Sequence, residues 1–287
     1  EKNLSSDKKL IVIASNPFVY LFVKAISNDK VEIKLLESSH EVHEQVLSPK
    51  DYEEIEKADL IFYYSPIIEP ELEKIKSASN TKSKFIALEP EEEITHEDNS
   101  NADIHKWLVV NNVKKYITLI KEKLVENDQR NKDLYINNSE SAYKALDDLE
   151  SLIHIKLKNC SKRQILTSHK YLENFCKEYN CTNYYVLGMH SHESEVTPQS
   201  YNQLLALVKS ENIKNMVIDS SDNSSLINNF VKEANLNVKH INTFHSSNIL
   251  TTVCKDLSAI DCYISIMKNN IDVIAELMQC SEQGRVS

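Results

Sequence analysis

The feature that most constrains the fold of this chain is a long stretch of helical sequence near its middle, residues 132–158. No glycine or proline interrupts it, and its apolar residues recur at steps of three, four or seven, as expected when one helix face is buried. That stripe consists of Tyr135, Ala142, Leu146, Leu149 and Ile153. At 1.5 Å per residue the helix is about 40 Å long, more than one small domain needs. We therefore predict a rigid backbone helix, residues 129–159, that joins an N-terminal lobe, residues 1–128, to a C-terminal lobe, residues 160–287.

Length and charge limit the classes of function. A chain of 287 residues is long enough for about two domains. The formal net charge of −10 argues against a nucleic-acid partner, because phosphate backbones are bound by a concentrated basic face. The longest apolar run, residues 18–23, is far shorter than the roughly 20 residues of a membrane-spanning helix. With only two glycines there is no glycine-rich phosphate loop, which argues against a nucleotide enzyme. Cationic partners suit this composition better.

Six cysteines lie in the second half of the chain and none forms a CxxC pair, so a cysteine zinc site is not expected. An even number permits disulfides in an oxidising compartment, and six free core thiols are the alternative. Cys160 and Cys181 each precede one of two neighbouring predicted strands and could pair. For Cys254, Cys262 and Cys280 the sequence favours no pairing.

Short apolar strands alternate with helical patterns through both halves of the chain. Because parallel strands need crossover connections, this rhythm predicts an α/β fold with two (β/α)4-type lobes, each a parallel sheet covered by helices. The predicted strands are residues 9–14, 31–36, 60–64 and 85–88 in the first half and 164–167, 183–187, 215–218 and 238–241 in the second, with a helix from about His169 onward.

Three histidines follow predicted strands, at the sheet edge where ligands bind in such folds. His43 follows the second strand, His105 the fourth, and His169 the first strand of the second half. Three imidazole nitrogens suit zinc and leave one tetrahedral position open for a carboxylate or water. A lone histidine at a strand end is more often solvated or hydrogen-bonded than a metal ligand. The residues around the three histidines therefore decide their interpretation.

The residues around these histidines carry a resemblance to a known family. His43 precedes Pro49 by six residues and the pair Ala58 and Asp59 by about fifteen, DIHKWL surrounds His105, and TSHKYLENF surrounds His169. These segments resemble the three ligand motifs of the ZnuA-like zinc and manganese solute-binding proteins of ABC transporters. SHESEVTP, residues 191–198, is similar to the segment that follows the third motif. The start of the family's long helix is matched by Asp128, Asn131, Tyr135 and Asn138.

The resemblance implies a carrier, and not an enzyme, that holds a metal ion between two lobes and delivers it to a membrane permease. It implies His43, His105 and His169 as metal ligands, a monomer, and a periplasmic or surface-anchored location reached with a signal peptide absent from this chain. Release of the ion would depend on movement of residues 89–103, an acidic segment with a single histidine, His96.

Two departures from the family pattern leave alternatives open. The residue before His43 is Val42 where proline is usual, and His40 is a rival for that ligand. The fourth ligand of the family, an aspartate, falls at Asn242, so water, a nearby carboxylate or His245 could take its place. A nitrogen-rich site favours zinc over manganese.

Other functions are also compatible with the motifs. A manganese-specific member of the family is one. A zinc hydrolase, lyase or chelatase on similar lobes is another, although nothing places a general base such as Glu193 or Glu195 at the metal. An adhesin-like surface protein with a vestigial site is the third.

Overall fold

A computed structural model describes residues 8–37, 46–80, 84–90, 103–188, 196–220 and 224–281. The chain forms two compact units. The first draws on residues 1–94, 114–145 and 244–263, and the second on residues 95–113, 146–243 and 264–287. The predicted domain boundaries after residues 128 and 159 stay a prediction.

The first unit contains a four-stranded parallel sheet in the order β2-β1-β3-β4. Its first strand lies in the middle of the sheet, where Val12 pairs with Ile33 on one side and with Leu60 on the other. The strands are β1 (Ile11–Ala14), β2 (Glu32–Leu35), β3 (Leu60–Tyr63) and β4 (Phe85–Ala87). The helices that connect or follow them are α1 (Pro17–Ser27), α2 (Pro49–Lys57), α3 (Pro70–Ala78) and α4 (Val110–Asn127).

Local sequence fixes where these helices begin. Helices α1, α2 and α3 each start at a proline, which is tolerated in the first turn because its missing N–H has no partner there anyway. Asn16 accepts a hydrogen bond from the Val19 amide, and Ser48 forms a reciprocal capping box with Asp51. The strands supply the core on which the helices pack, and all four residues of β3 are buried.

The long central helix, α5, spans Lys132–Lys156, so it ends two residues before the end of the helical sequence 132–158. All five residues of its predicted apolar stripe are at most 1% exposed, which confirms the periodicity argument. The buried Asp128 carboxylate lies just before the helix and accepts hydrogen bonds from Asn131 and from the Tyr135 hydroxyl, at 2.7 and 2.8 Å. The helix therefore has a fixed starting point.

The second unit repeats the strand order of the first, with a parallel sheet β6-β5-β7-β8. A core of apolar side chains, including Leu166, Leu187, Met216 and Phe230, packs around this sheet. The α/β prediction of two parallel-sheet lobes is confirmed. The strands are β5 (Gln164–His169), β6 (Thr182–Leu187), β7 (Asn215–Asp219) and β8 (Asn237–Ile241). Among the described residues, the α-helices that follow α5 are α6 (Glu173–Tyr179), α7 (Pro198–Ser210), α8 (Ser225–Glu233), α9 (Asn248–Thr251) and α10 (Ala259–Leu277).

The prediction of a helix from about His169 is wrong. His169 is the last residue of β5, where pairing with Leu187 of β6 keeps its backbone extended. The chain then turns, with the Tyr171 amide donating to the His169 carbonyl oxygen, and α6 begins only at Glu173.

All six cysteines form disulfides, and the suggested Cys160–Cys181 pairing is wrong. Cys160 pairs with Cys280, which lies opposite it in a short antiparallel bridge. Cys181 pairs with Cys176 because Asn180, with φ of 56°, turns the chain back at the end of α6. The third disulfide joins Cys254 to Cys262. Within the described ranges, no helix combines the length and apolar character that a membrane span requires.

Candidate metal centre

Of the described candidate ligands, His105, His169 and Asn242 belong to the second unit and His245 to the first. His169 ends β5, Asp219 ends β7 and Ile241 ends β8. In parallel α/β sheets the carboxyl edge is the one at which ligands bind, because the loops that follow the strands meet there. Asn242, at the proposed position of the family's fourth ligand, directly follows β8.

His105 is buried, at 2% exposure, and its ring is held by Asp103. Nδ1 of the imidazole lies 2.8 Å from Oδ1 of Asp103, which also accepts the His105 backbone N–H at 2.9 Å. Burial is the largest influence on the pKa of Asp103 and raises it, but hydrogen bonds and charge from His105 and the Asn174 amide together leave that pKa below its usual value. The carboxylate therefore accepts a hydrogen bond from Nδ1–H of His105, and in this tautomer Nε2 keeps the lone pair that a metal ligand needs.

His169 belongs to the same unit as His105. Nδ1 of His169 is 3.2 Å from the Ser168 hydroxyl, and its Nε2 atom is buried. The two histidines share Tyr171 as a neighbour. The Tyr171 ring centroid is 6.0 Å from that of His105, and its backbone N–H bonds the His169 carbonyl oxygen at 3.1 Å. Tyr171 therefore contacts both the His105 ring and the His169 backbone, and the two histidines stay predicted ligands.

Trp107 links the His105 segment by a hydrogen bond to the residues that follow β8. Its indole N–H donates to the Thr243 carbonyl oxygen at 2.9 Å, and the Trp107 ring lies 4.9 Å from the His105 ring. Thr243 in turn donates its backbone N–H and hydroxyl to Oδ2 of Asp219, at 2.8 and 2.6 Å. Asn242 is bonded through its backbone to the amide group of Asn270. The positions after β7 and β8 are therefore fixed relative to His105.

Several predicted residues lie outside the described part of the chain. They are the ligand His43 and its rival His40, the acidic-segment histidine His96, the carboxylates Glu193 and Glu195, and residues 91–102 of the predicted release segment. Among the residues that are described, no group of three or more His, Cys, Asp or Glu side chains could hold a metal ion. The role of His43 stays a prediction.

The sequence motifs do not predict the residues that hold the candidate ligands in place. Asp103 is the first residue of DIHKWL, and an acidic residue two positions before a candidate ligand is a signal for such a role. Trp107, two positions after His105 in the same motif, is an equally weak signal for such a role. Asn174 and Thr243 gave no signal, because their partners are distant in sequence.

The comparison with known protein families identifies the class of protein to which this chain belongs. The family described as "zinc-uptake complex component A, periplasmic" (ZnuA) matches residues 12–277, nearly the whole chain. The chain belongs to this family. ZnuA-family proteins are metal-binding transport components, so the prediction of a carrier is confirmed at that level and the enzyme alternative is not supported.

Relatives within the ZnuA family carry the names of two metals. The chain is 29% identical over 288 residues to the high-affinity zinc uptake system protein ZnuA of Bacillus subtilis, covering 95% of this chain and 88% of that protein. It is 27% identical over 286 residues to the manganese ABC transporter substrate-binding lipoprotein PsaA of Streptococcus pneumoniae, covering 95% and 90%. A zinc-bound variant of AdcAII from Streptococcus pneumoniae has the same fold, with a TM-score of 0.80 at 21% identity over 95% of this chain and all of that one.

Proposed function

We propose that this protein captures zinc with high affinity and delivers it to the membrane permease of an ABC transporter. The observation that carries the proposal is the pair of histidines in the second unit, of which His105 is oriented by a buried carboxylate. His43 is the third proposed ligand. The ion is the cargo, and the protein supplies neutral imidazoles that hold it.

Zinc is proposed over manganese because of the donor types. Imidazole nitrogen suits zinc, whereas manganese binds more weakly and favours carboxylate oxygens. The position proposed for the family's aspartate is Asn242, whose amide is a poor substitute for a carboxylate. Water, a carboxylate or His245 would complete the coordination. A manganese carrier is the alternative, and the name of the PsaA relative favours it.

We propose an exported protein, located in the periplasm or anchored at the outer face of the cytoplasmic membrane. Three disulfides support this location, because such bonds persist in oxidising compartments and are rare in the cytosol. We further propose that the carrier acts as a monomer. A sedimentation mass corresponding to two chains would contradict that part of the proposal.

The test is a zinc and manganese competition titration of the metal-free protein and of a His169→Ala variant. Zinc should bind with one ion per chain and outcompete manganese. Loss of an imidazole ligand should weaken zinc binding by more than about 100-fold, beyond the usual effect of removing an outer-shell residue.

His154→Ala is the matched control, because His154 is an exposed residue of α5 in the same unit, 3.0 Å from Glu150. An unchanged zinc dissociation constant in His169→Ala would reject His169 as a ligand. Tighter binding of manganese than of zinc in the unaltered protein would make it a manganese carrier.

A further inference from the structure

Asp103, which orients His105, accepts two hydrogen bonds from Asn174 of α6. The backbone N–H of Asn174 donates to Oδ2 of Asp103 at 2.9 Å, and the Asn174 side-chain amide donates to the Asp103 carbonyl oxygen at 2.6 Å. Oδ1 is the oxygen that contacts His105. Asn174 therefore fixes both the carboxylate and the backbone of Asp103.

The two Asn174 bonds restrict different motions. The bond to Oδ2 limits rotation of the carboxylate about its side-chain torsion. The bond to the carbonyl oxygen holds the segment that leads from Asp103 into His105. Because Asp103 is 6% exposed, water does not readily replace either donor if it is lost.

The element that carries Asn174 is also anchored. Asn174 is the second residue of α6, and the Cys176–Cys181 disulfide joins that helix to the chain just before β6. Asn174 is thus presented to Asp103 from a fixed helix.

We infer that Asn174 is a positioning residue for metal capture, which sets the orientation and tautomer of His105 through Asp103. This inference rests on the proposed function for its effect on metal affinity. Its structural part, the control of the His105 tautomer, does not depend on metal.

The Asn174→Ala variant removes the side-chain donor and keeps the backbone donor. We expect it to weaken zinc binding about tenfold, the lower end of the range for residues outside the ligand shell. Asn174→Asp has nearly the same shape but replaces the amide donor with a second carboxylate beside Asp103. It should weaken zinc binding at least as much, which would show that hydrogen-bond donation and not side-chain volume is required.

Asn111→Ala is the matched control. It removes one amide hydrogen bond to the exposed last turn of α6, from the Asn111 side chain to Oε1 of Glu178 at 3.0 Å, and among the described residues Glu178 forms no hydrogen bond to Asp103. We expect Asn111→Ala to leave the zinc dissociation constant within about twofold of the unaltered protein. A residue that is not itself a ligand affects zinc affinity through contact with a residue that orients a ligand, here Asp103 or His105.

The experiment combines zinc competition titrations with nitrogen NMR of the His105 ring in the metal-free protein. The unaltered protein and Asn111→Ala should show the Nδ1-protonated tautomer, whereas both Asn174 variants should show a mixture. Equal zinc affinities and identical ring signals in Asn174→Ala and Asn111→Ala would overturn the inference while the proposed function stands. If the unaltered protein binds no metal, the proposed function fails, and the ring signals still decide the role of Asn174.

Discussion

The buried Glu69 of the first unit should make the stability of this protein depend on pH. Glu69 is 2% exposed and precedes α3. It accepts hydrogen bonds from the Ser15 hydroxyl, from the Asn16 side-chain amide at 3.1 Å, and from the Ser65 backbone at 2.8 Å. Desolvation by burial outweighs these bonds and raises the pKa of Glu69 from 4.5 to about 7.

The magnitude follows from this difference between the folded and unfolded states. A rise from 4.5 to about 7 corresponds to about 3.4 kcal/mol. Because the folded state binds the proton more tightly, the free energy of unfolding falls as pH rises between these two pKa values, and the contribution is fully lost above the higher one. Between about pH 5 and about pH 8, the loss is about 2.5 kcal/mol.

Glu69→Gln removes this titration, since an amide has no charge to desolvate. The assay is urea unfolding of metal-free protein and variant across that pH range. The difference in free energy of unfolding should shift by about 2.5 kcal/mol in favour of Gln as pH rises. Glu73→Gln removes a carboxylate of α3 that is hydrogen-bonded to Tyr63 and Lys76 instead of Ser15, Asn16 and Ser65. It reports the general effect of such a change. A Glu69→Gln difference that stays constant with pH would refute the reasoning.

Two further predictions concern the stability of the fold. The Cys160–Cys280 disulfide joins residues 120 apart in sequence, and its removal should lower the free energy of unfolding by about 5 kcal/mol. Removal of Cys254–Cys262, with a separation of 8, should lower it by only about 2.5 kcal/mol. Urea unfolding of the two double-alanine variants measures both, and equal losses would contradict the loop-length argument. Asp128→Ala should cost about 2 to 3 kcal/mol in the same assay, because a buried charged acceptor of the Asn131 and Tyr135 bonds is lost; a cost within experimental error would show that these bonds do not stabilise the start of α5.

The architecture could be predicted because it is encoded in local patterns. Apolar strands alternate with amphipathic helices, and this alternation permits few arrangements other than parallel sheets. The stripe of α5 was predictable for the same reason. The end of β5 was not, because His169 is held extended by its pairing with Leu187, a contact that no local pattern reveals.

The disulfides and the residues that orient the ligands depend on contacts between distant parts of the chain. Cys160 and Cys280 are 120 residues apart, and Asn174 meets Asp103 across 71 residues. Even the pairing of Cys176 with Cys181 required knowledge that Asn180 takes a left-handed conformation. Sequence motifs predicted candidate ligands, whereas the groups that position them had to be read from the structure.

The hydrogen bonds around the described histidines favour holding an ion over transforming a substrate. Asp103 and Asp219 are two buried carboxylates of the second unit. Asp103 is hydrogen-bonded to His105 and Asn174, and Asp219 is hydrogen-bonded to Thr243. A general base must be within reach of a substrate proton. Carboxylates that are hydrogen-bonded to neighbouring residues instead fix those residues, here the His105 ring and the adjacent backbone. When a ligand side chain is already oriented before the metal binds, less conformational entropy is lost on binding. Tight capture of an ion needs this property, and the hydrogen bonds of Asp103 supply it to His105, one of the proposed ligands.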